Sequence, residues 1–181
     1  MSRFVALLKG INVGKAKRVP MADLRELLAA LGYRNVRTLL NSGNAVFDAA
    51  AKGEADHAAL IQRAVAEQLG VDAMVIVKSA KNIAATIAGN KLSTVVTDPS
   101  RLLVAFTRDA KSLAALGSLA AVQWGDEAIH VGKDAAYVWC ANGILKSKMA
   151  VALLRDLGPS GTTRNWATVK KINLLLQEPG D

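Results

Sequence analysis

The sequence has a single cysteine, Cys140, among 181 residues. No disulfide can form within the chain, which excludes a bridge-stapled secreted scaffold and points to a cytoplasmic protein. Cys140 lies in the apolar run "AAYVWC" and reads as a buried structural thiol rather than a nucleophile. Histidine is almost as scarce. His57 and His130 stand alone, with no second ligand at helical or zinc-type spacing, so no metal site and no cofactor is predicted. His57 reads as an exposed residue near a helix start, and His130 as a strand residue. Aromatics are 4% of the chain against 51% apolar residues overall, so the core must be built from Ala, Val, Leu and Ile. No apolar run approaches the roughly 20 residues that span a bilayer. "FVALL" near the start is too short for the core of a secretion signal and is followed by no small-residue cleavage site. No membrane partner is predicted.

Several chemistries are missing as well. The stretch "GINVGKAKRVPM" (10–21) invites comparison with a phosphate-binding P-loop, but Gly10 and Gly14 are one residue too close, and Lys15 is followed by Ala16 rather than a hydroxyl. The dinucleotide glycine fingerprint is absent. Ser42 sits in the turn "NSGN", where no His or acid can be paired with it, and turn chemistry accounts for it. Folds that read RNA on a sheet place aromatics on the third strand. The corresponding positions here are Asn44 and Val46, so base stacking of that kind is not supported.

Positive charge is what the sequence does have, and it is unevenly spread. The net charge is +8. Residues 1–40 carry eight cations against Asp23 and Glu26, a net of +6, and residues 139–175 carry six against Asp156, a net of +5. Residues 41–138 sum to −1 and residues 176–181 to −2. Two basic segments at opposite ends of the chain would form one positive surface if the fold joined them, attractive to phosphates, nucleic acid or another acidic partner.

Periodicity supplies the architecture. "SRFVALLKG" reads as a strand, "PMADLRELLAALG" as a helix with Pro20 at its first position and Gly32 just past its end. Two strands flank "NSG" at 41–43, a helix runs to Gly70, and "DAMVIVKS" is a strand. This is the β-α-β-β-α-β order of a ferredoxin-like unit. The order then restarts: a helix at 80–90, the loop "TDPS", the strand "RLLVAFT", a helix, the strands "EAIHVG" and "AAYVWC", and helices at about 147–157 and 163–177. The second set has an extra helix in place of a clear last strand. The predicted fold is α+β, with two ferredoxin-like subdomains, 1–97 and 98–181, the second with a helical tail.

Cations also gather where helices are predicted to begin. Lys15, Lys17 and Arg18 precede the helix at Pro20, Lys148 follows the N-cap Ser147, and Arg164 falls in the first turn of a helix capped by Thr162 or Thr163. A cation at this end forgoes roughly 0.3–1 kcal/mol that an acid would gain from the helix dipole. A bound anion would remove the conflict, because amides and cations would both point at it.

The segments "VALLKGINVG", "RVPMADLRELLAALG", "VRTLLNSGNAVF", "GILKSK" and "TTRNWATVKKI" closely resemble the bacterial family known as domain of unknown function 1697, over residues 3–177. Family members usually carry Gln where this chain has Asn41, and "GIGRSK" where it has "GILKSK". The resemblance implies two α+β subdomains of ferredoxin-like type packed together, and no established reaction. Its motifs coincide with the two basic segments and suggest one composite ligand site from Gly10, Asn12, Gly14, Lys15, Arg18, Ser42, Gly43, Asn44, Lys148, Thr163, Arg164, Asn165 and Trp166. Asn12 and Asn44 would supply amides, the glycines close backbone approach, and Lys148 and Arg164 charge. The expected function is binding of a phosphate-bearing ligand, a nucleotide-like molecule or nucleic acid. An enzyme acting on a phosphorylated substrate and an adaptor docking an acidic protein are the alternatives.

Overall fold

Phe4 to Leu8 are apolar at every position, a pattern that suits a strand buried on both faces. The computed structural model describes residues 1–50 and 52–178 and makes this run part of β1 (Ser2–Leu8), with all five side chains buried. Around it form α1 (Met21–Ala30), β2 (Arg34–Leu39), β3 (Asn44–Ala49), α2 (Glu54–Leu69) and β4 (Val75–Ser79). The sheet is antiparallel in the order β2-β3-β1-β4. Phe4, Ala6 and Leu8 of β1 point to the face covered by Leu24 and Leu28 of α1 and Ile61 and Val65 of α2, and form one core with them. Gly70 ends α2 in the left-handed conformation, as its place after the last apolar residue predicts.

The second set contains β5 (Leu102–Thr107), α4 (Ala110–Ala115) continued by a 3-10 segment, β6 (Ala128–Val131), β7 (Ala136–Trp139), α5 (Lys148–Leu157) and β8 (Gly161–Asn165). Its antiparallel order, β6-β7-β5-β8, repeats that of the first sheet. Leu103, Ala105, Val138, Met149 and Leu153 share its core, and Cys140 is fully buried among them. The fold is therefore α+β, two four-stranded antiparallel sheets each with the ferredoxin-like order. Helices α3 (Ala80–Ala88) and α6 (Trp166–Gln177) complete it. Contacts divide the chain into one unit of residues 1–81 with 172–181, and another of 82–171, so the predicted boundary at 97/98 falls inside the second. No helix among the described residues is long and apolar enough to cross a membrane.

Two expectations are corrected. "TTRN" is not the start of a helix but β8, the last strand of the second sheet. Thr163 and Arg164 pair with Ala105 and Val104 of β5. A side chain at Gly161 would collide with Leu157 and the Phe106 carbonyl, so only glycine admits the strand there. Helix α6 starts one residue later than the motif's asparagine, and the Asn165 Oδ1 accepts a bond from the Thr168 amide at 2.9 Å. His57 does lie in the first turn of α2, but it is 2% exposed rather than on the surface. Its ring packs against Phe4, Tyr33 and Phe47, and its Nδ1 meets the Tyr33 hydroxyl at 2.9 Å. Helical spacing alone does not show these aromatic neighbours, which lie outside the helix on β1, on β3 and just before β2.

Candidate functional site

The β1–α1 connection must reverse direction within a few residues, and Asn12 organises that turn. It takes a left-handed φ of 56°, which asparagine tolerates better than most residues. Its Nδ2 donates to the carbonyls of Val19 and Asn41, both at 2.8 Å, and its Oδ1 accepts from the Val19 amide at 2.9 Å. The Asn12 amide donates to the Lys17 carbonyl at 3.0 Å. One side chain thus closes the base of the loop and ties it to the β2–β3 turn. Residues 13–18 project from that base and are exposed, Gly14, Lys15 and Arg18 among them. Lys17 folds back to donate to the Asp72 carbonyl at 2.8 Å.

The turn beneath is packed tightly. Gly43 has φ +82°, and a Cβ there would come within 2.8 Å of the Ile11 Cδ1 and 2.9 Å of the Leu8 Cβ. Asn44 is fully buried and donates to the Leu39 carbonyl at 2.9 Å and the Ser42 Oγ at 3.0 Å. Asn12, Ser42, Gly43 and Asn44 therefore come together at one corner of the first sheet, where they hold two loops in place. Val46 is buried too, so neither it nor Asn44 offers a stacking surface. Gly10 (φ +68°) is exposed at the start of the loop.

Helix α1 follows at the end of this loop. Pro20 provides no side-chain cap, and the first intrahelical bond runs from the Leu24 amide to the Pro20 carbonyl. The amides of Met21, Ala22 and Asp23 have no partner among the described residues. They form an open, positively polarised terminus directly after Lys15 and Arg18.

The second unit treats its basic residues differently. Lys148 is exposed at the first position of α5, with Ser147 capping the Ala150 amide at 2.8 Å as predicted. The next amide, Met149, donates to the Glu127 Oε2 at 3.1 Å. The chain itself thus supplies an anion at this helix terminus, a role that no local spacing could reveal because Glu127 lies about 20 residues upstream. Arg164 is 8% exposed on β8 and donates from its Nη1 to the Thr162 Oγ1 at 3.1 Å and the Thr163 carbonyl at 2.8 Å. Burial pushes its guanidinium down to about 10, which leaves it charged at neutral pH. Thr163, Asn165 and Trp166 are half-buried, and Trp166 meets Tyr137 edge to face with ring centroids 6.4 Å apart. Of the three helix termini expected to collect cations, α1 retains the arrangement, α5 already has a carboxylate, and Arg164 is not at a helix terminus. Lys148 sits beside Glu127, next to β6, whereas Thr163 to Asn165 lie on β8, the opposite edge of the same sheet.

The family described as "protein of unknown function (DUF1697)" matches residues 1–137. The chain belongs to this family. The DUF1697 match takes in the whole β1–α1 loop, the β2–β3 turn and Glu127, and stops before Lys148 and β8. A solved structure, the conserved bacterial protein SP0830 from Streptococcus pneumoniae, is similar over 97% of this chain and 99% of its own, with a TM-score of 0.79 and 24% identity. At that identity the likeness concerns the fold. No curated protein matches the chain.

Proposed function

We propose that this DUF1697 protein binds a phosphate-bearing ligand in the cytoplasm, a nucleotide-like molecule or nucleic acid, with Lys15 and Arg18 making the leading contacts. The observation that carries this reading is the β1–α1 loop. It presents two exposed cations on a base held by Asn12 and runs into a helix terminus whose first amides have no partner among the described residues. Exposed cations on the loop and open amides at the helix start both suit phosphate oxygens. Asn12, Ser42, Gly43 and Asn44 act in this reading as the support that positions the loop. Lys148 and Arg164 are secondary to it, the first beside a carboxylate and the second buried.

The test uses fluorescence anisotropy with labelled single-stranded oligonucleotides, and thermal shift with nucleotides and inorganic phosphate, at low salt. Wild type should bind, and Lys15→Ala/Arg18→Ala should bind at least about tenfold more weakly, a loss of about 1.4 kcal/mol. Both side chains are exposed, so the fold should survive the change. Affinity that grows with oligonucleotide length and falls steeply with salt identifies nucleic acid. Saturation by a mononucleotide identifies a small ligand. Wild type that binds neither, or a variant that binds as well as wild type, overturns the reading.

A further inference from the structure

A cleft of about 400 Å³ opens in the second unit beside the N-terminus of α5. Its lining carries charges of both signs, Asp126 and Glu127 together with Lys146 and Lys148. We propose that this cleft binds a small zwitterion, a free α-amino acid or a short peptide, with its ammonium toward the acids and its carboxylate toward the lysines. The inference is independent of the β1–α1 loop and concerns different residues.

Three observations lead to it. First, the side chains of Asp126, Lys146 and Lys148 make no ion pair or hydrogen bond with any described residue, although opposite charges line the same small space. A ligand with one charge of each sign can satisfy both kinds of group at once. Second, the helix terminus does not invite a plain anion. The Met149 amide is already taken by the Glu127 carboxylate, and Asp126 beside it would repel a phosphate. A plain cation would meet the two lysines instead. Third, the rest of the lining suits a peptide-like molecule. The Asn142 amide also has no partner among the described residues, and so can donate to a carboxylate or pair with a peptide group. Trp124 is held by its Nε1 bond to the Leu119 carbonyl at 2.7 Å and gives a fixed apolar wall for a side chain. The volume lies at the lower end of the roughly 300–1,000 Å³ usual for ligand sites, suited to one or two residues rather than a long peptide.

Saturation-transfer NMR and thermal shift on the full chain test the proposal, with the free standard amino acids and the dipeptide Ala-Leu as probes at millimolar concentration. At least one probe should bind saturably. Its N-acetylated and C-amidated forms should each bind at least about tenfold more weakly. Asp126→Asn and Lys148→Met, both changes at exposed side chains, should each weaken the same probe about tenfold while leaving the melting temperature of the unliganded protein close to wild type. The proposal fails if no probe saturates, if blocking either charged end leaves affinity unchanged, or if both variants bind as wild type does.

Discussion

His57 is buried beside Tyr33, and among the described residues its Nε2 has no well-formed hydrogen bond; this makes it a source of pH sensitivity. Burial pushes its imidazole below the usual histidine value, an effect only partly offset by the nearby Ala50 carbonyl and Asp56. The folded state therefore prefers the neutral ring, while the unfolded chain takes up a proton below about pH 6.5. Stability should fall as pH drops through that value and level off below the folded pKa. Urea unfolding followed by circular dichroism between pH 7.5 and pH 5, a range that brackets the ordinary histidine value of about 6.5, should show a declining midpoint. His57→Phe should flatten part of the decline, and an unchanged slope in the variant would sink the assignment. His130, also lowered by burial, acts in the same direction. The sequence placed His57 correctly in a helix start and wrongly at the surface, because its partners Phe4 and Phe47 lie on strands outside the helix that periodicity describes. Asn12 and Asn44 were recognisable as amides with a purpose, but only the structure shows that their bonds close loops within the chain.

At the scale of elements, most of the secondary structure was legible because periodicity, Pro20, Gly32 and Gly70 are local signals. β8 was not. Thr162 and Thr163 suit a helix cap as well as a strand, and only the pairing with β5 decides between them. The same distinction separates Ser147 from Glu127 at α5. Ser147 is three residues from the amide it caps, and its role could be read directly. Glu127 reaches the helix from the residue before β6. Ser147 is buried, so Ser147→Ala should cost about 1 kcal/mol, seen as a lower urea midpoint with an unchanged slope. A stability equal to wild type would mean that Glu127 alone holds the helix start.

For the whole molecule, the repeated ferredoxin-like order was legible because it is a succession of local elements, while the route of the chain between units was not. Among the described residues, the first unit consists of 1–81 and 172–178. Within it, Arg3 donates to the Glu178 carbonyl and Arg37 pairs with the Glu178 carboxylate, and Ile172 and Leu176 are buried. A chain ending at Lys171 should therefore be markedly less stable, since each of the two apolar side chains contributes about 1.5–3 kcal/mol on burial and the exposed ion pair at most about 1 kcal/mol. Urea unfolding of the shortened chain checks this, and an unshifted midpoint would show the segment to be dispensable. The discontinuity also bears on how the protein is made. Domains usually fold as they emerge during synthesis, N-terminal first. Here every residue of the second unit leaves the ribosome before the last piece of the first, so the unit that is begun first is the one that is finished last.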